Sequence, residues 1–395
     1  MNHLRKIRFS EATRAATVQP PVIPIVGEWT QDNPGTISLG QGVVSWGPPE
    51  SAYEGIGRFR EDIENHKYKL AQGIPPLLDL IGEKLKDENG INVDPKDRVF
   101  VTAGANMAFI NAVLAIADVG DEIILPAPFY FNHEMAVTML GCTPVVAPTD
   151  KNHQLDLDAL RSAITKRSRA IVTISPNNPS GVVYPKKDLQ AVTALCREFG
   201  LFHISDEAYE YFTFDGASHF SPGSAKDVDE HVISLFSLSK AYGFASWRIG
   251  YMVTPPQLID AVKKIQDTNL ICPPVVSQFA ALEAIRTGRA YCEEKLTDVR
   301  DVRNLVIERL AGWEKFATIA PAKGAFYFLL KIKTGLDSLS VTQRLIEEYK
   351  VAVIPGSAFG LTENCFLRIA YGVLDRSTCQ EALDRLEKGL VTITS

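Results

Sequence analysis

The feature that most constrains the fold is the alternation of short β-branched runs with longer helical patterns in the middle of the chain. The runs include RVFVTAG, DEIILPAP, TPVVAP, RAIVTISPNNPSG, LFHISDEAY and HVISLFSLSK. Most follow a helix-like stretch such as ANMAFINAVLAIADVG, whose apolar residues recur at helical spacing. Strands that alternate with helices form crossover units. The sequence therefore predicts an α/β fold with a mostly parallel mixed sheet flanked by helices.

Length and a change of pattern divide the chain. At 395 residues it exceeds the size at which a single core usually keeps growing. From about residue 285 the pattern becomes a long charged amphipathic helix, then GAFYFLLKI, another helix, VAVIPGSAF and FLRIAYG. We expect a large domain at residues 48–285, a smaller α/β domain at 286–395, and an N-terminal arm at 1–47 that joins the small domain.

Charge and cysteine usage narrow the function classes. A net charge of −6 argues against nucleic acid as a partner, because phosphate binding needs a basic face. The six cysteines form no C-x-x-C pair, which predicts no metal site and no disulfide framework and favours a reducing, cytoplasmic location. The N-terminus, MNHLRKIRFSEATRAATVQPP, lacks the apolar core of a signal peptide, and no apolar run is long enough to span a bilayer. We expect no membrane partner, and an organelle transit peptide is the less favoured interpretation of the N-terminus.

Polar residues follow several predicted strands. In parallel sheets, ligands bind at the carboxyl ends of the strands. We therefore expect five segments to converge on one crevice: 104–106, 128–130, 177–181, 206–209 and 237–240.

The stretch SLSKAYGFASWRIGY, residues 237–251, carries a lysine in a region poor in charge. A lysine nucleophile must be partly neutral, which desolvation and a nearby cation accomplish, so Lys240 near Arg248 is a candidate. A surface lysine is the alternative. The serines and the arginine suit a phosphate, and TAGAN ends a strand at a helix N-terminus that offers N–H groups to the same anion. Gly104 could instead serve only a tight turn.

Asp206 follows an apolar strand, where an unpaired carboxylate is costly to desolvate. A protonated pyridine nitrogen would be a suitable partner, and Tyr209 could reach an oxygen of the same ring. The alternative is that Asp206 caps a helix beginning at Glu207.

Six motifs, in this order, resemble the fold type I, class I/II aminotransferases of the aspartate aminotransferase superfamily, which use pyridoxal 5′-phosphate (PLP). They are TAGANMAF, PAPFY, SPNNPSG, SDEAYEYF, SLSKAYGFASWRIGY and FLRIAYG. No single motif is decisive, but six in order over most of the chain are specific.

The resemblance implies roles around the cofactor ring. Lys240 would bind PLP covalently and then move a proton between the substrate Cα and the cofactor C4′. Asp206 would keep the pyridine nitrogen protonated. Asn178 and Tyr209 would bond the phenolic oxygen, and Tyr130 would stack on the ring.

The resemblance also implies two anion sites. Arg368 would bind the substrate α-carboxylate as a bidentate fork, helped by Asn178 and the backbone near Gly42. The phosphate ligands would be Gly104, Ala105, Asn106, Ser237, Ser239 and Arg248.

Two further residues match the family. Tyr68 corresponds to a tyrosine that reaches the phosphate of the neighbouring subunit, so the resemblance implies a homodimer with shared sites. His133 matches, in some members, a histidine behind the ring-bonding aspartate, with an ordinary loop histidine as the alternative.

The motifs also bear on the substrate. Many aspartate-using members carry a lysine where this chain has Asn106, and a neutral amide cannot balance a second carboxylate. TAGANMAF, PFYFN, YEYFTFDG and KIQDTNLICPP are similar to a branch of aromatic and methionine aminotransferases. Phe129, Phe131 and Trp46 could suit a large apolar side chain or be ordinary core.

We therefore expect an amino acid aminotransferase that transfers an α-amino group to a 2-oxo acid by a ping-pong mechanism. The favoured donors are aromatic, methionine or other non-dicarboxylate amino acids, with aspartate aminotransferase activity as an alternative. A lyase or cyclase that acts through the same Cα carbanion is the alternative reaction.

Two other classes match less of the sequence. Ser237 and Lys240 have the S-x-x-K spacing of penicillin-binding serine enzymes, but the S-D-N element that should follow is absent. The acidic net charge and the short N-terminal segment do not support a regulatory protein with an added DNA-binding segment.

Overall fold

The computed structural model describes residues 11–395. The first ten residues of the predicted arm, and of the segment considered for targeting, lie outside this range. The strands are β1 Ile37–Ser38, β2 Val99–Thr102, β3 Glu122–Pro126, β4 Thr143–Ala147, β5 Ser168–Ile174, β6 Phe202–Asp206, β7 Val232–Ser237, β8 Gly250–Val253, β9 Ala317–Ile319, β10 Tyr327–Ile332, β11 Val351–Ala352, β12 Ile354–Pro355 and β13 Phe366–Ala370.

The helices alternate with these strands through most of the chain. They are α1 Thr13–Ala16, α2 Val22–Asp32, α3 Glu50–Phe59, α4 Pro75–Asn89, α5 Pro95–Arg98, α6 Ala105–Ile116, α7 Phe131–Met139, α8 Leu157–Ala163, α9 Lys186–Phe199, α10 Leu238–Ala241, α11 Ile259–Leu270, α12 Val275–Arg286, α13 Gly288–Leu310, α14 Ser338–Tyr349 and α15 Arg376–Thr394. Within residues 11–395, every helix is too short or too polar to cross a bilayer.

The larger sheet has seven strands in the order β2-β8-β7-β6-β5-β3-β4. Strand β8 runs antiparallel to both of its neighbours, whereas the other neighbouring strands are parallel. Strands β2, β3 and β8 are buried along their whole length, as expected for strands covered on both faces. The predicted mostly parallel mixed sheet is confirmed.

The smaller sheet is built from the C-terminal part of the chain. Its strands are antiparallel in the order β12-β13-β10-β9. A separate parallel pair joins β1 to β11, so that residues 37–38 contact the C-terminal region. The domain boundaries at residues 48 and 286 stay a prediction.

Two short strand-to-helix turns shape the carboxyl edge of the larger sheet. Gly104, the N-cap of α6, has a φ of 79°, a left-handed conformation that favours glycine. Ser237 ends β7 and caps α10, because its Oγ accepts a hydrogen bond from the Ser239 N–H at 3.1 Å. Both turns leave helix N–H groups at the same edge of the sheet.

Candidate active site

A cavity of about 380 Å³ lies at the carboxyl edge of the larger sheet. Each of the five strand-end segments named from the sequence contributes at least one residue to its wall, and Arg368 and Tyr327 line it from the smaller sheet. The predicted site residues in the wall are Gly42, Ala105, Asn106, Tyr130, Asn178, Asp206, Tyr209, Ser237, Ser239, Lys240, Arg248 and Arg368.

Lys240 lies on the single turn of α10, and its Nζ donates a hydrogen bond to the Gly42 carbonyl. Desolvation in the cavity, reinforced by the positive charges of Arg368 and Arg248, lowers the pKa of Lys240 to about 8, against the opposing effect of Asp206. About a tenth of the amine is therefore neutral at pH 7 and about half at pH 8, and the neutral form is the one that a nucleophile or base requires.

An anion cradle lies at one end of the cavity. The first N–H groups of α6, at Ala105 and Asn106, have no partner within the helix. Arg248 approaches the same turn, where its Nη2 lies 3.3 Å from the Ala103 carbonyl oxygen. A Cβ built on Gly104 would collide with the Arg248 guanidinium, so the close approach of the two requires glycine. Together with the hydroxyls of Ser237 and Ser239, these groups suit a phosphate.

Asp206 is buried at the end of β6, where its Oδ1 accepts a hydrogen bond from the Ala208 N–H at 3.0 Å. Its Oδ2 lies 3.1 Å from Nε2 of His133, and the His133 ring stacks on Phe109 with the centroids 4.0 Å apart. The idea that Asp206 caps a helix at Glu207 is wrong, because residues 208–211 form turns. The carboxylate is instead held in the cavity wall.

Two tyrosines line the cavity beside this carboxylate. The Tyr130 hydroxyl accepts a hydrogen bond from Asn132 Nδ2 at 2.8 Å, and burial raises the Tyr130 pKa. The Tyr209 hydroxyl lies 3.4 Å from Asn178 Nδ2, and burial raises the Tyr209 pKa well above its usual value. Both phenols therefore stay protonated at neutral pH.

Arg368 lies on β13 at the other end of the cavity and is only 2% exposed. Within residues 11–395 its hydrogen bonds go to neutral oxygens, Asn178 Oδ1 at 3.0 Å and the Gly40 carbonyl at 2.6 Å. Its Nε has no partner among the described residues. A buried cation bonded to neutral groups is unfavourable, and an incoming carboxylate would relieve this.

The structure does not bring every candidate into the cavity. Tyr68 is 78% exposed and lies outside the cavity wall. Phe131 lines the cavity, whereas Phe129 and Trp46 do not. Trp46 instead donates to the Ala241 carbonyl, and Phe129 is buried in the core.

Sequence reasoning missed part of the wall. Tyr327, Gln41, Val43 and Ile23 line the cavity but belong to no strand end of the larger sheet. The sequence predicted only that Tyr327 lies on a strand, GAFYFLLKI. Its position at the cavity could not be predicted, because it depends on pairing with a strand that is remote in sequence.

This donor set fits PLP. Asp206 could hold a protonated pyridine nitrogen, the cradle at Gly104 could hold the phosphate, and Lys240 could bond the aldehyde carbon, because all three line the same cavity or its edge. The buried guanidinium of Arg368 then suits the carboxylate of an amino acid. The fold and the site define a PLP-dependent enzyme that acts on α-amino acids.

The similarity of this chain to known proteins supports the same class of enzyme. The model of the family "aminotransferase class I and II" matches residues 34–386. "Aromatic-amino-acid aminotransferase 2" of Thermococcus litoralis is 34% identical over 95% of this chain and 97% of its own length. The "aspartate aminotransferase" of Pyrococcus abyssi is 36% identical over 90% of this chain and 91% of its own. The crystal structure of an aromatic aminotransferase from Pyrococcus horikoshii OT3 has a TM-score of 0.85 at 33% identity, covering 93% of this chain and 99% of that one.

The chain belongs to the class I and II aminotransferases. It is an amino acid aminotransferase, and its cofactor is PLP. The predicted family, enzyme activity and cofactor are thereby confirmed.

Proposed function

We propose that Lys240 is the residue that binds PLP covalently and afterwards moves the substrate proton. This assignment of Lys240 rests on the lowered pKa of its amine and on its position in the same cavity as Asp206 and Arg368. When bound, PLP supplies the electron sink for the pair left at the substrate Cα. Lys240 Nζ would accept the Cα proton, because its neutral form is populated near neutral pH, and would deliver a proton at C4′ of the cofactor.

The other polar residues would hold the cofactor ring and orient the substrate. Asp206, itself positioned by His133, would hold the proton of the pyridine nitrogen. Asn178 and Tyr209 would donate to the phenolic oxygen, and Tyr130 would stack on the ring. Arg368 would bind the α-carboxylate of the amino acid.

The phosphate would be held by the cradle that Gly104 opens. The backbone N–H groups there cost no side-chain entropy, and Arg248 adds a full positive charge. The proposed phosphate ligands are Gly104, Ala105, Asn106, Ser237, Ser239 and Arg248.

The proposed donors are amino acids with large apolar or aromatic side chains. Ile23, Val43 and Phe131 provide apolar parts of the wall of the cavity that Arg368 also lines. Among the described residues that line the cavity, the cations are Lys240, Arg248 and Arg368, and each already has a proposed role. Residues 11–395 of one chain thus offer no further cation in the cavity wall for the second carboxylate of aspartate, although relatives carry both names, aromatic and aspartate aminotransferase.

A homodimer with shared sites is part of the proposal. Three exposed apolar side chains lie close together in sequence, Ile63, Tyr68 and Leu70, with exposures of 74%, 78% and 58%. Such a patch favours an interface with another molecule, and Tyr68 would reach the partner's phosphate. Sedimentation as a dimer is expected, with weaker PLP binding in Tyr68→Phe. A monomer that binds PLP with full affinity would contradict the proposal.

The remaining proposals concern organisation and location. We propose the large domain at 48–285, the small domain at 286–395 and the arm at 1–47 as units that enclose the site together. A cytoplasmic location is supported by the six cysteines, all of which are free thiols.

The test begins with Lys240→Ala, beside Lys187→Ala on the exposed surface of α9 as the matched control. We expect the first variant to lose turnover and the covalent bond to PLP, and the second to keep both. Near-normal turnover in Lys240→Ala would refute the assignment.

Donor identity follows from adding single amino acids to the purified enzyme without an acceptor. Conversion of the cofactor to pyridoxamine phosphate identifies a donor. The largest rate is expected for aromatic amino acids or methionine, and a faster reaction with aspartate would contradict the proposed preference. Product formed while the cofactor is unchanged would indicate the lyase or cyclase alternative.

A further inference from the structure

Tyr327 contacts both halves of the site, although no role has been assigned to it. It lies on β10, paired with Ala370 of β13, and its side chain is 0% exposed. In the same register Leu329 faces Arg368, so Tyr327 is a diagonal neighbour of Arg368 on one face of the sheet. The Arg368 guanidinium lies 4.7 Å from the centre of the Tyr327 ring.

The hydroxyl of the same side chain contacts the ring-binding end of the cavity. Tyr327 Oη lies 2.7 Å from Tyr209 Oη. Space for this phenol depends on Gly42, because a Cβ built there would lie 2.6 Å from Tyr327 Oη. One buried side chain therefore joins the residue proposed for the cofactor's phenolic oxygen to the residue proposed for the substrate carboxylate.

The direction of the hydrogen bond between the phenols follows from proton counting. A tyrosine hydroxyl has one proton to donate. If Tyr209 donates that proton to the cofactor's phenolic oxygen, then Tyr327 must be the donor to Tyr209. Burial raises the Tyr327 pKa to about 12, so its proton is available throughout the neutral range. The hydrogen bond that Tyr209 accepts from Tyr327 would strengthen the one that Tyr209 donates to the phenolic oxygen.

We propose that Tyr327 is a positioning residue that couples the cofactor and carboxylate sites, donating to Tyr209 through its hydroxyl and supporting the face of Arg368 with its ring. The inference rests on the proposed function, since it presupposes that Tyr209 bonds the cofactor and that Arg368 binds substrate. Its two contacts use different parts of the side chain and can be separated by substitution.

Tyr327→Phe removes the hydroxyl and keeps the ring. Weaker donation by Tyr209 would leave more negative charge on the phenolic oxygen and favour the protonated nitrogen of the lysine–cofactor bond. The pH midpoint of the bound cofactor's absorption should rise by about half to one unit. The dissociation constant of a substrate-like carboxylate inhibitor should stay within about two-fold of the parent value, because the ring remains.

Tyr327→Leu removes the ring as well. The inhibitor's dissociation constant and the KM for the amino acid should rise about ten-fold, the scale of a buried cation–π contact. Tyr371→Phe is the matched control, since it deletes a buried hydroxyl that donates to the Ala325 carbonyl at 3.5 Å and lies outside the cavity wall, and it should change neither readout. Thermal unfolding establishes that each variant is folded, and the conservative Tyr327→Phe keeps the test decisive if Tyr327→Leu does not fold.

An unchanged absorption midpoint in Tyr327→Phe would overturn the hydroxyl's role, and an unchanged inhibitor constant in a folded Tyr327→Leu would overturn the ring's role. Failure of the proposed function itself would be distinguishable, because the parent enzyme would then lack the covalent cofactor absorption that depends on Lys240.

Discussion

Replacing Arg368 with lysine keeps a positive charge in the proposed carboxylate site but removes the planar fork of the guanidinium. The parent guanidinium has five N–H donors, of which hydrogen bonds to Asn178 and to the Gly40 carbonyl use two within the described residues. The remaining donors can bind a carboxylate through two parallel bonds. A lysine ammonium is a point charge with three donors and cannot reproduce this geometry.

The size of the effect follows from the burial of the site. Arg368 is 2% exposed, so water cannot readily replace a lost bond. One charge-assisted hydrogen bond contributes about 1.5–3 kcal/mol. If the lysine loses one of the two bonds to substrate, kcat/KM should fall by about 10- to 150-fold. PLP should remain bound, because the anion cradle and Lys240 are intact.

The assay compares kcat/KM for one amino acid donor, the affinity of a carboxylate inhibitor, and the PLP content of each variant. Arg344→Lys is the matched control, because Arg344 is a partly exposed arginine of α14 whose partner, Glu348, lies one helical turn away. It should leave all three readouts unchanged. Arg368→Lys with kcat/KM within about two-fold of the parent would refute the carboxylate assignment, and loss of PLP would show that Arg368 serves the cofactor instead.

Three further predictions concern the cradle, the lysine and the core. Gly104→Ala should weaken PLP binding, because a methyl group would displace the Arg248 guanidinium. Gly120→Ala, at a position with a similar positive φ but open space around it, should only lower the melting temperature. Equal PLP affinity in both variants would contradict the role of the anion cradle in binding the phosphate. Since the pKa of Lys240 is lowered to about 8, the rate of covalent PLP capture by the apoprotein should rise with pH to about 8 and level off above it, in stopped-flow absorbance measurements; a rise that continues to pH 10 would contradict this. Lys84→Met removes the cationic partner of Glu210 from a buried ion pair whose charged atoms lie 2.6 Å apart, and it should lower the free energy of unfolding by about 3–5 kcal/mol in urea titrations. Lys67→Met, in an exposed ion pair, should lower it by about 1 kcal/mol or less. Similar losses in the two variants would show that burial of the pair does not matter here.

Much of the site could be predicted from the sequence for a physical reason. In a parallel sheet the carboxyl ends of the strands share an edge, so residues that follow β2, β5, β6 and β7 had to meet once the strands were identified. Asp206 and Lys240 were therefore found without any knowledge of tertiary contacts. Arg368 was found only through the family motif FLRIAYG, because it belongs to the other sheet.

Other features depend on packing between remote segments. Phe131 and Phe129 are two residues apart with the same side chain, yet only Phe131 lines the cavity, because the backbone turns there from a loop into α7. The contact of His133 with Asp206 likewise depends on the position of α7 against the end of β6.

The sequence by itself determined the class of fold through local periodicity, and the family resemblance of its motifs gave the cofactor and the prediction that Lys240 is the reactive lysine. Only the tertiary structure decided how Lys240 is desolvated between Arg368 and Arg248, and that Tyr327 joins Tyr209 to Arg368. Such properties depend on charges and contacts that the fold brings together, such as the hydrogen bond between Tyr209 and Tyr327, 118 residues apart, and a linear pattern carries no information on those distances.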